Sequence, residues 1–212
     1  MADLAALRKS VIDGKRKDAE ALTRQALDGG ADPASLLNDA LVPAMDEVGA
    51  KFKNGEYFIP EMLVAAKAMK MAMEVLKPKL AAGTYKAAGK VVIGTVRGDL
   101  HDIGKNLVKM LLEGAGYDVV DLGVDVSPEK FVEAVKVNKP QVVAMSALLT
   151  TTMLSMPETI KALDTAGVRK DVKVIIGGAA ITDAFAKEIS ADGYGADAST
   201  AVELTRKLAA KN

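Results

Sequence analysis

The sequence predicts an N-terminal four-helix bundle followed by an α/β domain with a five-stranded parallel sheet, and three observations lead to this prediction. As far as about residue 88, apolar residues recur at three- and four-residue spacing, which is typical of helices. Beyond that point, short apolar runs alternate with helix-like segments, as in α/β proteins. Between the two patterns, residues 78–89 lose strong periodicity, which indicates a short linker. We therefore expect two domains, at 1–88 and 89–212.

Four helices are expected in the first domain. Asp32 and Pro33 favour the start of the third helix, because aspartate caps free N–H groups and proline fits the geometry of a first turn. Gly14 and Gly55 are placed where the first and third helices should end. Four helices with such short connections favour an antiparallel bundle. The predicted helices lie at 4–12, 15–27, 33–54 and 59–80.

The second domain contains five short apolar runs that we interpret as strands. The predicted strands lie at 90–93, 118–122, 141–145, 172–176 and 193–194. The predicted helices lie at 103–115, 128–138, 153–166, 181–190 and 199–210. Strands that are nearly continuous in valine and isoleucine are typical of a parallel sheet covered on both faces. The pattern therefore predicts a flavodoxin-like or Rossmann-like domain.

Composition excludes several classes of function. The chain has 28 basic and 28 acidic residues, so nothing in its charge favours nucleic acid or an anionic membrane as a partner. It has no long uncharged apolar stretch and no signal-peptide pattern, so we expect a cytoplasmic protein. With no cysteine and a single histidine, it cannot form a disulfide, a thiolate zinc site or a histidine-rich metal cage. Any bound metal must therefore take most of its ligands from another molecule.

Small and polar residues follow three of the predicted strands. Gly94 and Gly98 follow the first strand, residues 146–152 follow the third, and Gly177 and Gly178 follow the fourth. Because parallel strands end at the same edge of a sheet, these loops should lie together and form a ligand groove.

The glycine spacing argues against the common nucleotide-binding loops. Gly94, Gly98 and Gly104 do not fit the dinucleotide pattern G-x-G-x-x-G. Residues 98–106 resemble a P-loop, but this stretch is one residue too long and has Asn106 where a hydroxyl should hold magnesium. We therefore expect neither an NAD nor an ATP site.

Three short motifs on these loops occur in an order that resembles the cobalamin-binding domains of methionine synthase and corrinoid methyltransferases. The motifs are Asp99-x-His101-x-x-Gly104, Ser146-x-Leu148 and Gly177-Gly178. Residues 52–62 also resemble the helical cap of that family. The resemblance covers nearly the whole chain, and it is greatest to the small free-standing corrinoid proteins of methyltransferase systems.

The resemblance implies a role for each of these residues. The corrin ring supplies four equatorial nitrogens, so His101 alone would complete the site as the axial cobalt ligand. Asp99 would accept the other imidazole N–H, and Ser146 would hydrogen-bond Asp99. The other residues implied to contact the cofactor are Gly98, Asp102, Ile103, Gly104, Leu148, Thr150, Gly177, Gly178 and Tyr194. Apolar cap residues, which here are Phe52, Ile59 and Met62, would cover the upper face of the corrin and move aside about the linker.

Each residue also has a simpler interpretation when it is taken alone. His101 would be a solvated loop histidine, and Asp99 would cap the helix that follows, although Asp102 is better placed for that. Gly177 and Gly178 would form a tight strand-to-helix turn. Phe52 and Ile59 would belong to the bundle core, and Tyr194 would be a half-buried aromatic residue at a strand end.

The family resemblance implies a methyl carrier that is a subunit of a methyltransferase system rather than a stand-alone enzyme. Its Co(I) cobalamin would accept a methyl group from a donor-specific methyltransferase, and the resulting methylcobalamin, methyl-Co(III), would pass it to a second, acceptor-specific methyltransferase. The donor would be a methylamine, a betaine, methanol or an aryl methyl ether, and a reductive activase is a possible third partner. The alternatives are a cobalamin-dependent sensor, the small subunit of a mutase and a cofactor-free flavodoxin-like interaction module.

Overall fold

The computed structural model describes residues 3–81 and 87–210, which form two compact units. One unit holds the chain up to Ala87 together with Gly114–Gly116, and the other holds the remainder. The predicted fold class is confirmed, since the first unit is helical and the second contains a five-stranded parallel sheet. Our boundary between residues 88 and 89 stays a prediction. Residues 82–86 of the predicted linker and hinge lie outside the described residues.

The helical unit contains the four predicted helical stretches. Asp3 and Asp32 cap two of them through side-chain hydrogen bonds to the backbone N–H groups of Ala6 and Ser35. Fully buried leucines such as Leu7 and Leu37 form its core. The helices are α1 (Leu4–Ile12), α2 (Arg16–Asp28), α3 (Pro33–Ser35), α4 (Val42–Lys53) and α5 (Ile59–Ala81), with a π-helical segment (Leu36–Leu41) between α3 and α4.

The third helical stretch differs from the uninterrupted helix that the sequence predicts. At its π-helical segment, the N–H of Val42 donates to the carbonyl of Leu37, five residues earlier. Pro43 follows and has no N–H with which to continue the ordinary four-residue pattern. The widened turn before this proline therefore has a local cause in the sequence.

The five strands of the second unit form one parallel sheet in the order β2-β1-β3-β4-β5. The strands are β1 (Lys90–Thr95), β2 (Asp118–Asp121), β3 (Val142–Ser146), β4 (Lys173–Gly177) and β5 (Gly193–Gly195). The helices are α6 (Ile103–Gly114), α7 (Pro128–Asn138), α8 (Ser155–Thr165), α9 (Asp183–Glu188) and α10 (Ala198–Ala209), and a 3₁₀ turn spans Arg169–Asp171. Buried aliphatic residues such as Val92, Val143 and Val174 fill the central strands, as predicted for a sheet covered on both faces.

The strand order places three loops side by side. The chain passes from β1 to β2 on one side and then to β3 on the other, so the direction of winding reverses between β1 and β3. Open α/β sheets bind their ligands at such a reversal, beyond the carboxyl ends of the strands. Thr95, Ser146 and Gly177 are paired across β1, β3 and β4, which brings the loops after these strands to one edge.

Candidate functional site

The centre of the site is the carboxylate of Asp99, in the loop between β1 and α6. Asp99 is only 1% exposed, and both of its carboxylate oxygens accept hydrogen bonds. Oδ1 accepts the backbone N–H of His101 at 3.0 Å and lies 2.8 Å from Nδ1 of the same residue. Oδ2 accepts the backbone N–H of Leu148 at 2.7 Å and the hydroxyl of Thr152 at 2.6 Å. Two loops of the sheet edge therefore meet at one carboxylate.

Asp99 remains charged despite its burial. Burial alone would raise the pKa of this carboxyl. The hydrogen bonds from Thr152, from the backbone N–H groups of His101 and Leu148, and from the imidazole outweigh this effect and hold the pKa well below its ordinary range. An ionised carboxylate can only accept, so Nδ1 of His101 carries the proton in this contact.

The backbone of this loop is fixed by contacts on both sides. Gly98 has a φ angle of +82°, a conformation that favours glycine, and its N–H donates to the Asp125 carboxylate at 2.7 Å. The N–H of Asp125 in turn donates to the carbonyl of Asp99 at 3.0 Å. The buried hydroxyl of Thr95 donates to the carbonyl of His101, also at 3.0 Å. The loop that contains Asp99 and His101 is therefore held in place by hydrogen bonds.

The loop that carries His101 and the neighbouring loop also carry exposed apolar side chains. The side chain of His101 is 53% exposed, and the contact with Asp99 uses Nδ1, so Nε2 is the nitrogen left for a ligand. In the same loop and at the start of α6, Leu100 is 71% exposed and Ile103 is 69% exposed. Leu148 and Leu149 on the neighbouring loop are also exposed. A flat, largely apolar ligand would cover such a surface favourably.

The structure corrects one predicted contact. In the described part of the chain, the side-chain hydroxyl that reaches Asp99 belongs to Thr152, and the Ser146 side chain does not contact this carboxylate. Ser146 is the last residue of β3, and its carbonyl accepts the N–H of Val96 at 3.0 Å. The loop after β3 turns back and brings Thr152 to Oδ2 instead. The sequence does not single out Thr152, because it is one of three consecutive threonines.

The predicted glycines have different environments. Gly178 has a φ angle of +129°, and a Cβ atom there would lie 1.8 Å from the carbonyl oxygen of Ala147. At Gly177 a Cβ atom would lie 2.9 Å from the carbonyl oxygen of Gly195. Gly177 therefore packs against the neighbouring strand β5, and Gly178 packs against the residue that follows β3, so both glycines have a structural reason that does not involve a ligand. At Gly104, by contrast, a Cβ atom would meet no other atom within 4 Å.

Three other predicted site residues have ordinary local surroundings. Asp102 precedes α6, and its carboxylate accepts a hydrogen bond from the Asn106 side chain at 2.9 Å. Thr150 is exposed on the loop after β3. Tyr194 on β5 is partly buried against the apolar core of the α/β unit, as its simpler interpretation requires. Their contacts with a cofactor stay predictions.

The three predicted cap residues differ in exposure. Met62 is 2% exposed, Phe52 is partly buried and Ile59 is 42% exposed. The more exposed aromatic residue is Phe58, which is 64% exposed and which the sequence analysis did not select. Its N–H donates to the Glu61 carboxylate at 2.9 Å, so this position is held at the start of α5. The covering role of the cap residues stays a prediction.

The available donors match a metal that arrives with its own equatorial ligands. In residues 3–81 and 87–210, no group of three or more histidine, cysteine, aspartate or glutamate side chains could hold a metal ion. The site instead offers one imidazole, oriented by a buried carboxylate and bordered by exposed apolar residues. A corrin needs one protein nitrogen and an apolar surface, so the residues present fit it.

In the described part of the chain, no helix is long and apolar enough to cross a membrane.

Comparisons with known proteins agree with this fit over most of the chain. Two family models, each described as a B12 binding domain, match residues 89–203 and 4–77. A trimethylamine corrinoid protein of Methanosarcina barkeri is 44% identical over 201 residues, which cover 94% of this chain and 93% of that protein. A dimethylamine corrinoid protein of Methanosarcina acetivorans is 40% identical over 196 residues, which cover 92% of each.

Two crystal structures also share both the fold and the sequence pattern. A cobalamin-binding protein from Desulfitobacterium hafniense is 34% identical, with a TM-score of 0.81 over 98% of this chain and 99% of that one. A chain of the methanol:cobalamin methyltransferase complex from Methanosarcina barkeri is 33% identical, with a TM-score of 0.89 over 99% of this chain and 80% of that one.

Proposed function

The chain belongs to the B12-binding family of corrinoid proteins, and from that premise we propose that it carries a methyl group between two separate methyltransferases. The observation that carries this proposal is the single imidazole of His101, held by the buried Asp99 carboxylate next to an exposed apolar edge. When bound, the cofactor supplies a Co(I) centre that takes up the methyl group and releases it to an acceptor. The role proposed for this chain is to bind the cofactor and to orient it.

His101 is proposed as the axial cobalt ligand. With the proton on Nδ1 and donated to Asp99, the lone pair on Nε2 is free to bind the metal. A carboxylate behind a ligating imidazole fixes the orientation of the ring and raises its basicity. Because Asp99 stays charged, it holds the proton on Nδ1 and leaves Nε2 as the nitrogen that would hold the cobalt.

The edge of the sheet is proposed to hold the rest of the cofactor. The exposed side chains of Leu100, Ile103 and Leu148 would face the corrin, and the open space at Gly104 would let the backbone approach it. The nucleotide tail would run between the loops after β1, β3 and β4. The residues proposed to line its path are Gly98, Ser146, Leu148, Thr150, Gly177, Gly178 and Tyr194.

The helical unit is proposed to shelter the reactive face of the cofactor between transfers. Phe52, Ile59 and Met62 remain the proposed residues, and the exposed Phe58 joins them because an aromatic side chain in water is available to cover a ligand. Met62 is buried and therefore belongs to the bundle core. There it would support the neighbouring side chains that contact the cofactor.

The partners are proposed by similarity. Two relatives are named as trimethylamine and dimethylamine corrinoid proteins, and one structural neighbour belongs to a methanol:cobalamin methyltransferase complex. We infer that this chain works with a donor-specific methyltransferase and with a second methyltransferase that removes the methyl group. A methylamine or methanol is the donor favoured by these names, and betaines and aryl methyl ethers stay in the set to be tested. A reductive activase is proposed as a further partner.

The ligand assignment can be tested without ambiguity because the chain has one histidine. The protein is produced with ¹⁵N-labelled histidine, loaded with hydroxocobalamin and reduced to the cobalt(II) form. If His101 is the axial ligand, labelling changes the nitrogen splitting of the electron paramagnetic resonance spectrum from a triplet to a doublet. His101→Ala should lose the splitting. If the labelled protein gives the same triplet as the unlabelled protein, then the cofactor's own base is bound to the cobalt, and the assignment is contradicted.

Methyl transfer is tested with the same loaded protein. After reduction, it is incubated with candidate donor methyltransferases and with methylamines, betaine, methanol or an aryl methyl ether in turn. We expect one combination to produce the spectrum of protein-bound methylcobalamin, and His101→Ala to slow its formation. Cobalamin binding with no methylation by any combination would support the sensor alternative instead.

A further inference from the structure

The loop after β2 contacts the loop that carries His101, and none of the sequence motifs assigns a role to it. One residue of this loop, Asp125, accepts the N–H of Gly98 on Oδ1 at 2.7 Å. The N–H of Asp125 donates in the opposite direction, to the carbonyl of Asp99 at 3.0 Å. Asp125 therefore holds two consecutive residues just before His101, one through its side chain and one through its backbone.

Asp125 has a backbone conformation that residues other than glycine rarely adopt. Its φ angle is +52°, in the left-handed region, which aspartate tolerates better than most residues. The residue is exposed, so packing of its side chain in the core does not explain this conformation. Such conformations persist where the surrounding contacts hold them, and they are concentrated at functional sites. The two hydrogen bonds to the neighbouring loop are contacts of this kind.

The backbone on either side of Asp125 is fixed to β1. Val96 and Val126 form a parallel bridge beyond the ends of β1 and β2, and both are buried. The N–H of Val126 donates to the carbonyl of Thr95 at 3.0 Å, and the N–H of Thr95 donates to the carbonyl of Gly123, also at 3.0 Å. The carboxylate of Asp125 is therefore presented to the neighbouring loop from a supported position.

We propose that Asp125 is a positioning residue, whose carboxylate fixes the backbone of Gly98 and Asp99 and thereby orients the imidazole of His101. Asp99 and His101 are two residues apart, so a displacement of the Asp99 backbone moves the carboxylate that contacts Nδ1. The part of this inference that concerns cobalt binding rests on the proposed function, whereas the part that concerns the imidazole in the cofactor-free protein does not.

The turn at Gly98 explains why the loop needs a contact from outside. Glycine has the greatest backbone freedom of any residue, so a turn built on it is poorly fixed by its own sequence. Asp125 accepts the Gly98 N–H and limits this freedom. A loop that is already ordered loses less conformational entropy when its ligand binds. The contact should therefore affect the affinity for a ligand of His101 as well as the stability of the fold.

The alternative is that Asp125 only stabilises the turn after β2, and three variants separate the two roles. Asp125→Gly removes the acceptor and adopts a positive φ without strain, so the variant should unfold at about the same urea concentration as the wild type. Asp125→Asn keeps an acceptor oxygen and also tolerates this backbone region. Lys139→Gly is the matched control, because Lys139 has a φ angle of +48° and precedes β3, at the opposite edge of the sheet.

The first experiment uses the cofactor-free protein with ¹⁵N-labelled histidine. Nuclear magnetic resonance at about pH 9, where a histidine of ordinary pKa is neutral, reports which ring nitrogen of the single histidine carries the proton. We expect mainly the Nδ1–H form in the wild type, in Asp125→Asn and in Lys139→Gly. In Asp125→Gly we expect a shift towards the Nε2–H form, because the Asp99 carboxylate is no longer held in place beside Nδ1.

The second experiment measures hydroxocobalamin binding by the same proteins, together with the histidine nitrogen splitting of their cobalt(II) forms. Loss of a group that orients a metal ligand typically weakens metal binding by about 10- to 100-fold. Asp125 acts through the backbone of Asp99, so we expect the lower value, about 10-fold, in Asp125→Gly. The splitting should be weaker in this variant. Asp125→Asn should recover most of the affinity and the splitting.

The outcomes separate the inference from the proposed function. A wild-type tautomer in a folded Asp125→Gly protein overturns the inference, whether or not cobalamin binds. An equal shift in Asp125→Asn or in Lys139→Gly also overturns it, because the loss of the acceptor would not be the cause. Should Asp125→Gly not fold, Asp125→Ala, which also lacks the acceptor, is measured in its place and judged in the same way.

Cobalamin binding then decides the remaining part. If the tautomer shifts in Asp125→Gly but cobalamin binds to this variant as tightly as to the wild type, the part of the inference that concerns cobalt is overturned. If the tautomer shifts and even the wild type does not bind cobalamin, the positioning role of Asp125 stands and the proposed function fails.

Discussion

At the scale of single residues, Gly104 separates the demands of folding from those of ligand binding. A Cβ atom at Gly104 would meet nothing within 4 Å, and alanine favours a helix over glycine. We expect Gly104→Ala to raise the free energy of unfolding of the cofactor-free protein by about 0.5 kcal/mol, since the position is in the first turn of α6. If the corrin approaches this backbone as proposed, the same change should weaken hydroxocobalamin binding.

Urea unfolding and cobalamin titration of the two proteins measure these effects. Gly178→Ala is the matched comparison, because its Cβ atom would lie 1.8 Å from the carbonyl oxygen of Ala147. That variant should lose several kcal/mol of stability, of the order seen for strained or overpacked positions. A Gly104→Ala protein that binds cobalamin as tightly as the wild type would remove Gly104 from the proposed contact surface.

Residue-scale contacts could be predicted where they are local in sequence. Asp99 and His101 are two residues apart, and their predicted contact is found at 2.8 Å. The hydroxyl partner of Asp99 is about 50 residues away, and its identity depends on how the loop after β3 folds back. Several hydroxyl side chains occur between 146 and 152, and the sequence holds no local signal that decides among them.

At the scale of elements, an ion pair between a buried lysine and a partly buried aspartate joins the start of α6 to the end of β2. Lys105 is 3% exposed, and its Nζ lies 2.8 Å from Oδ1 of Asp121. Lys109 lies 3.1 Å from the other carboxylate oxygen. Burial alone would raise the pKa of Asp121, but the hydrogen bonds from Lys105, from the N–H of Gly123 and from Lys109 outweigh it and lower the pKa. Because α6 follows the His101 loop directly, this pair helps to hold the site.

We expect Asp121→Asn to lower the free energy of unfolding by about 2–3 kcal/mol at neutral pH, because it leaves a buried lysine without its charged partner. The folded-state pKa of Asp121 lies below its ordinary value of 3.8. The stabilisation is therefore present above the unfolded-state pKa and is lost as the pH falls through the folded-state pKa. The difference between wild type and variant should shrink in acid.

Urea unfolding at pH 7 and at about pH 3 tests this expectation against a control on the same strand. Asp118 at the start of β2 pairs with Lys90 at 3.3 Å, and both side chains are well exposed, at 57% and 35%. Asp118→Asn should therefore cost less than about 0.5 kcal/mol at either pH. Equal losses in the two variants would mean that burial does not strengthen the Lys105–Asp121 pair.

Most of the elements could be predicted from periodicity. The ends of the five strands and of α6 to α10 differ from the predicted ends by no more than two residues. These elements alternate regularly and bury continuous apolar runs, so the pattern is strong. The π-helical segment at Leu36–Leu41 was missed, because the apolar spacing there is compatible with an uninterrupted helix and the effect of Pro43 on the preceding turn is a matter of backbone hydrogen bonds.

At the scale of the whole molecule, the chain consists of two compact units, and each matches a B12-binding family model. The α/β unit contains the Asp99–His101 pair, and the helical unit contributes the proposed cover. The sequence predicts two domains from the change of apolar periodicity near residue 88, and the cap segment and the loop motifs lie on opposite sides of that point. Whether both units contact one cofactor is a question that thermal unfolding can answer.

A ligand stabilises only the units that bind it, by about 2.7 kcal/mol when its concentration is 100 times the dissociation constant. If the helical unit covers the cofactor as proposed, hydroxocobalamin should raise the unfolding temperature of both units in scanning calorimetry. Leu37→Ala in the helical core and Val143→Ala in the sheet should each lower one transition and so identify it, since both residues are fully buried. His101→Ala at the same cobalamin concentration should reduce both shifts.

A rise confined to the transition that Val143→Ala identifies would show that the α/β unit binds cobalamin alone. The proposed covering role of Phe52, Phe58 and Ile59 would then be wrong.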